Sequence, residues 1–270
     1  MSRSVLFKPL IFNVMKKAFF FAPFLQFYSL RAGWLVLLLI ALLPTYAQVG
    51  SPRNDWVVGV NAGVQMNKVL FQPNIRQTYL TTPTIGLTAR YTSEKYFSMI
   101  CAIQVELNYA RLGWKEDIYS SKSVKLADTY ERRIDYLQLP ILANLGFGRE
   151  QRGVKGFLLA GPQLGYALQE KELRSSTWTT RVLSGTTVPD RANNVFAQYD
   201  KPIEHHFDYG ICAGLGMEVA TNVGRFVLEA RYYYGLADLF GNSKRDPFSR
   251  SPHNTISAKI SYLLDVKRKK

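Results

Sequence analysis

Residues 57–68 read Val-Val-Gly-Val-Asn-Ala-Gly-Val-Gln-Met-Asn-Lys. In an extended chain successive side chains point to opposite sides, so Val58, Val60, Ala62, Val64 and Met66 share one face and Gly59, Asn61, Gly63, Gln65 and Asn67 the other. A soluble sandwich or lipocalin-type barrel would back its apolar face with Lys, Glu and Thr turned to water. Here the second face is small and amide-bearing, which suits a strand set between lipid and a narrow lumen.

The same period recurs along the chain. Residues 84–92 set Ile85, Leu87, Ala89 and Tyr91 against Thr84, Gly86, Thr88 and Arg90, and residues 99–114 set Cys101, Ile103, Val105, Leu107 and Tyr109 against Ala102, Gln104, Glu106, Asn108 and Ala110. Strands follow at 134–147, 156–169, 207–221, 225–235 and 255–266, each with an outward apolar set led by Leu139, Leu164, Leu215, Leu228 and Ile260. Pro140 and Pro162 interrupt two of them; a closed barrel offers proline no edge, so a bulge is expected at each.

The fold class expected is all-β: an eight-stranded antiparallel up-and-down transmembrane β-barrel. Its connections alternate. Long links fall at 69–83, 115–133, 170–206 and 236–254 and short ones at 93–98, 148–155 and 222–224, matching extracellular loops and periplasmic turns. Tyr109, Trp114, Tyr166, Tyr209, Tyr232 and Tyr234 are expected to form an outer aromatic girdle, and Tyr91, Phe147, Phe226 and Tyr262 an inner one.

Ahead of this domain, residues 1–47 carry Arg3, Lys8, Lys16, Lys17 and Arg31 without an acid, then an apolar run from Ala32 to Leu43 and Thr45-Tyr46-Ala47 before Gln48. That is an export signal cleaved after Ala47, with Met1 and Met15 as alternative starts. Pro23, Gln26 and Arg31 break the competing reading of 18–43 as a membrane anchor. Residues 48–270 then form a single outer-membrane barrel domain.

The chain has 34 Lys and Arg against 20 Asp and Glu, a formal net charge of +14. These charges are scattered except for the tail Lys267-Arg268-Lys269-Lys270, and no aromatic-interleaved basic motif accompanies them. No nucleic-acid partner is expected. Anionic outer-membrane lipid and lipopolysaccharide are the natural counter-charges, and the outer-membrane assembly machinery would have to read Tyr262 as an internal signal. Cys101 faces outward and Cys212 inward on strands that are not neighbours, so both are expected as free thiols.

Six charged residues fall on inward faces: Arg90, Glu106, Glu218, Glu229, Arg231 and Lys259. Three acids and three bases in a low-dielectric interior imply a structural ion-pair network, because eight strands leave room for side chains and little else. His205, His206 and His253 lie near the outer strand ends; Glu204-His205-His206-Phe207-Asp208 raises the alternative of a metal site, and Ser249, Ser251 and His253 that of a rim hydrolase. Metal-ligand spacing and a fixed triad order are missing, and so are a dinucleotide fingerprint, a phosphate-cradling loop and a nucleophile elbow. These histidines are expected as solvated loop residues, with no metal, cofactor or catalytic residue. In the longest loop, Trp178, Phe196 and Tyr199 are the candidate contact anchors for an extracellular or secretion-system protein partner.

Thr45-Tyr46-Ala47-Gln48, Tyr136-Leu137-Gln138-Leu139-Pro140, Ala160-Gly161-Pro162 and Gly165-Tyr166 resemble the PorT-like outer-membrane β-barrel family of Bacteroidota, which is related in architecture to the OmpA barrel. The resemblance runs from about Trp56 to Val266. It implies the barrel, and for PorT itself a part in secretion and maturation of exported proteins. The function expected is non-enzymatic, in a structural, adhesion or secretion-accessory role through the extracellular loops. The alternatives are a barrel enzyme acting on outer-leaflet lipid and a periplasmic ligand-binding barrel.

Overall fold

The computed structural model describes residues 51–121, 123–149 and 152–267. The stretch expected as an export signal, residues 1–47, and residues 268–270 of the tail lie outside them.

The elements are β1 (Ser51–Val69), β2 (Gln77–Thr78), β3 (Leu80–Tyr96), β4 (Met99–Glu116), β5 (Tyr130–Gly148), β6 (Gly153–Arg174), β7 (Thr180–Leu183), β8 (Thr186–Pro189), β9 (Phe207–Ala220), β10 (Arg225–Asp238) and β11 (Pro252–Lys267). Eight of them hydrogen-bond in the order β4-β3-β1-β11-β10-β9-β6-β5, and β5 returns to β4. Every pairing is antiparallel, so the sheet is a ring without an edge. The short β2 extends the wall on β4, and β7 and β8 form a separate hairpin.

The two faces are inverted relative to a soluble protein. Ile260 is 64 % exposed while its neighbour Lys259 is 3 % exposed, and Leu107 is 45 % exposed beside Glu106 at 1 %. Leu139, Leu215 and Leu228 are exposed as well. An apolar skin around a polar interior is stable where the solvent outside is hydrocarbon. Close packing closes the interior. At Gly216 an added Cβ would lie 2.4 Å from the Phe157 ring, which is buried across the β6–β9 pairing.

Neither proline makes a bulge. The β4–β5 register is the same on both sides of Pro140, and the β5–β6 register is the same on both sides of Pro162. Each ring instead leaves a short gap in one ladder, at Glu106–Leu107 opposite Leu139–Pro140 and at Ile141–Leu142 opposite Gly161–Pro162. Losing one donor is tolerated because both flanking ladders hold the strand. The irregularity between β5 and β6 lies higher, where Asp135 pairs Gln169 but Tyr136 pairs Ala167.

The strands also outrun their expected limits on the long-loop side, with β5 covering 19 residues and β6 covering 22. Above the barrel the loops close over an apolar core in which Phe71, Ile118, Ile203, Leu239, Phe240 and Phe248 meet Trp114, Tyr130 and Ile134 from the strands. Backbone hydrogen bonds tie the loops together: Gln72 N donates to Arg250 O, Ala192 N to Tyr119 O, and Glu204 N to Leu239 O. Residues 170–206, expected as one loop, contain the top of β6 and the β7–β8 hairpin.

Cys101 and Cys212 are both free, and Cys212 is buried. Reducing and non-reducing gels are therefore expected to show the same mobility. A maleimide should modify Cys212 only after unfolding; modification of Cys212 in the folded barrel would contradict its burial.

Candidate functional site

All six inward charges reach the lumen, and they form two clusters. In the first, Glu106 accepts from Arg231 Nη2 at 2.5 Å, Arg231 Nη1 at 3.1 Å and Lys259 Nζ at 2.6 Å, with Gln104 and Asn108 donating at 2.7 and 3.0 Å. Arg231 also donates to Glu229 at 2.6 Å. Gly214, opposite Arg231 on β9, leaves space for the guanidinium stem. In the second, Glu218 takes Arg90, Lys155 at 3.2 Å and Arg225 at 2.9 Å, and Arg225 reaches on to Asp265.

Pairing of this kind compensates desolvation rather than adding much net stability, whereas an uncompensated charge in the same place costs several kcal/mol. Lys155 and Arg225 were missed from the sequence. Lys155 fell in an expected turn, yet the inward phase of Phe157 and Leu159 continued by one step reaches it.

Above these clusters the interior turns neutral and aromatic. Tyr233 donates to Asp208 at 2.8 Å, and Tyr136 Oη lies 3.2 Å from His253 Nε2. Higher still, Arg132 binds Glu170 at 2.5 Å and Glu172 at 2.9 Å, although it is only 2 % exposed. The loops then add a third polar group. Arg191 donates to Asp128 and Tyr199, and Tyr199 Oη and Gln198 Nε2 donate to the two oxygens of Glu116. Burial beside Glu116 pushes the Tyr199 hydroxyl above its ordinary value.

Several expectations are corrected here. Trp114 does not join the outer girdle: it is fully buried, stacked edge-on against Phe71 at 5.0 Å. The inward phase of its own strand, running from Gln104 through Ala110 and Leu112, already places it inside. His253 is not solvated but wholly buried at the start of β11, and Ser251 Oγ accepts from Phe240 N instead of facing it. His205 is exposed with Nδ1 3.0 Å from Asp238 O, and His206 lies beside Tyr166. Trp178 and Tyr199, two of the candidate contact anchors, are half-buried. Their rings lie 4.8 Å apart, the Arg191 guanidinium sits 4.4 Å over Trp178, and both pack on the cap core. Phe196 is half-buried too, its carbonyl accepting from Tyr199 N at 3.1 Å.

A closed ring, an apolar exterior and a charged lumen are the features of an outer-membrane barrel. Residues 46–241 match the model of the family described as outer membrane protein beta-barrel domain. The chain belongs to this family. No curated protein matches it in sequence. Among solved structures it is similar to the outer membrane protein OprG from Pseudomonas aeruginosa, with 12 % identity over 80 % of this chain and 98 % of that one and a TM-score of 0.45. It is also similar to Ail, the attachment invasion locus protein of Yersinia pestis, with 13 % identity over 78 % and 99 % and a TM-score of 0.33. The N-terminal β-barrel domain of Pseudomonas aeruginosa OprF gives 10 % identity over 80 % and 99 % and a TM-score of 0.31.

In this outer-membrane barrel six of the remaining girdle residues are exposed, Tyr109, Tyr166, Tyr209 and Tyr232 at the outer rim and Phe147 and Phe226 at the inner one, while Tyr234, Tyr91 and Tyr262 are half-buried. Among the described residues no group of three or more His, Cys, Asp or Glu is placed to hold a metal ion. Arg132 joins wall to cap, because its Nη1 donates to the loop carbonyl of Gln198 at 3.3 Å as well as to Glu172 on β6. Arg132→Ala would strand Glu170 and Glu172 without their cation, and it is expected to raise proteinase K cleavage within 175–206 while the barrel itself stays protected. Unchanged loop protection would show that the cap does not depend on this contact.

Proposed function

We propose that this outer-membrane barrel is non-enzymatic and works by holding its folded extracellular cap toward a protein partner outside the cell, in a structural, adhesion or secretion-accessory role. The observation that carries this reading is the order of the loops. They share one apolar core with the strand ends and bond to one another, and long loops organised in this way are usually functional. The β7–β8 hairpin is the part of the cap best suited to contact, since Val182, on β7 just before its turn, is 72 % exposed.

Two ion-pair clusters across the lumen favour a scaffold over a pore. The burial of His253 removes it as an accessible base for a lipid-modifying site. The finer resemblance to PorT-like barrels of Bacteroidota agrees with a secretion-accessory role. An export signal ending at Ala47, assembly by the outer-membrane machinery, and lipid and lipopolysaccharide as the surrounding phase belong to the same reading.

A photocrosslinking residue at Val182 in living cells tests it. A discrete protein adduct is expected, together with unchanged lipid A acylation in a strain lacking the protein. Altered acylation, or no adduct from Val182 or Leu183, would overturn the proposal.

A further inference from the structure

The loops line an open pocket of about 430 Å³ between residues 74–76, 116–121 and 191–198, within the range of small-ligand sites, about 300–1,000 Å³. Three buried polar side chains line it, two of them with their bonding incomplete. Gln198, 1 % exposed, donates through Nε2 to Glu116 at 3.0 Å and to Val195 O at 3.4 Å, leaving its Oε1 without a partner. Arg191, 3 % exposed, uses Nε on Tyr199 and Nη1 on Asp128 and Asp190 O, and its Nη2 has no partner. Glu116, 7 % exposed, accepts from the neutral donors Gln198 and Tyr199, and the Arg191 guanidinium on the far side of Tyr199 acts on it only through space.

Buried polar groups are normally satisfied, and a buried carboxylate normally has a cation beside it. The open valences here are of two kinds. A guanidinium N–H calls for an anionic oxygen, whereas an amide carbonyl next to a carboxylate calls for an ammonium. Burial raises the Glu116 carboxyl above its ordinary value, and a bound cation would reverse that. A neutral saccharide could meet the hydrogen bonds but would bring no cation into contact with the Glu116 carboxylate. Ile75, Ile118 and Val195 give the same pocket an apolar wall, which suits side chains carried between two charged ends.

We propose that the cap pocket binds a short peptide with both termini free, its carboxylate on Arg191 and its ammonium on Glu116 and Gln198. Capture of a peptide terminus by a fixed polar group is an established recognition mode. The site goes beyond the display role of the cap and does not depend on it: crosslinking at Val182 reads a protein partner, whereas the test below reads a soluble peptide.

The full chain in nanodiscs is titrated calorimetrically with the dipeptides Ala-Leu and Ala-Ser, with their N-acetylated, C-amidated forms, and with maltose. Saturable one-to-one binding of the free dipeptides is expected, with the blocked forms at least about tenfold weaker. Gln198→Leu and Arg191→Lys should each weaken binding at least about tenfold. The second variant keeps the charge facing Asp128, and heat-modifiable gel mobility reports that both barrels are folded. Absence of saturable dipeptide binding, equal binding of blocked and free forms, binding of maltose alone, or full affinity in both folded variants would each overturn the proposal.

Discussion

Replacing Glu106 by alanine is expected to lower the unfolding free energy of the barrel by about 3–5 kcal/mol. The carboxylate is the shared acceptor of Arg231, Lys259, Gln104 and Asn108. Removing it leaves two cations facing the single carboxylate of Glu229, in a lumen where Arg231 is 5 % and Lys259 3 % exposed. The unmet charge dominates, because the few methylenes lost contribute far less than an uncompensated ion in a low-dielectric interior. Urea unfolding in detergent micelles, followed by Trp fluorescence, measures the loss. The double variant Glu106→Leu with Arg231→Leu removes one charge of each sign and leaves Glu229 opposite Lys259 on the β10–β11 pairing. It should recover most of the stability, since apolar replacement of a whole buried pair is often neutral or better. If Glu106→Ala costs less than about 1 kcal/mol, the range of a surface pair, the cluster is solvated and the lumen is not sealed.

The second large effect lies on the opposite face. Leu215 is 61 % exposed on β9, between Tyr209 of the outer girdle and Val219, which pairs the inner-girdle Phe226. Leu215→Arg is expected to cost about 2–4 kcal/mol, and Tyr209→Arg at the boundary about 0–1 kcal/mol, because the penalty for a lipid-facing charge falls with distance from the midplane. A residue equally exposed to water would tolerate arginine within about 0.5 kcal/mol. The contrast between the two positions therefore separates a lipid-covered wall from a water-covered one. Folding yields into lipid vesicles measured over a denaturant series supply both values, and equal costs at Leu215 and Tyr209 would contradict a membrane-spanning wall.

The barrel wall was legible because a strand has period two and each face meets one medium. Leu107 and Glu106 are adjacent in sequence and could be sent to opposite sides by counting alone. The same counting, carried on to Trp114 and Glu116 or back to Arg132, would have put those three inside, but the expected strands stopped short of them or treated an aromatic near a boundary as girdle. Above the Asp135–Tyr136 irregularity, counting fails for a physical reason: one extra residue on β6 turns Glu170 and Glu172 inward, and nothing in their spacing announces it. The cap was illegible for a different reason. Phe71, Phe240 and Phe248 come from distant loops without periodicity, and their meeting depends on the ring already being closed. The prolines misled because an interior strand was assumed to yield at Pro140 and Pro162, whereas two flanking ladders hold the register across the missing donor.

Nitroxide scanning of residues 209–219 on β9 in liposomes, reading collision with oxygen against collision with a water-soluble nickel chelate, addresses the orientation of the wall most directly. Ile211, Leu215 and Met217 are expected to be oxygen-accessible and nickel-protected, with the intervening inward positions shielded from both. Nickel access at Ile211, Leu215 and Met217 would mean that water covers the apolar face, and the chain would not be a transmembrane barrel.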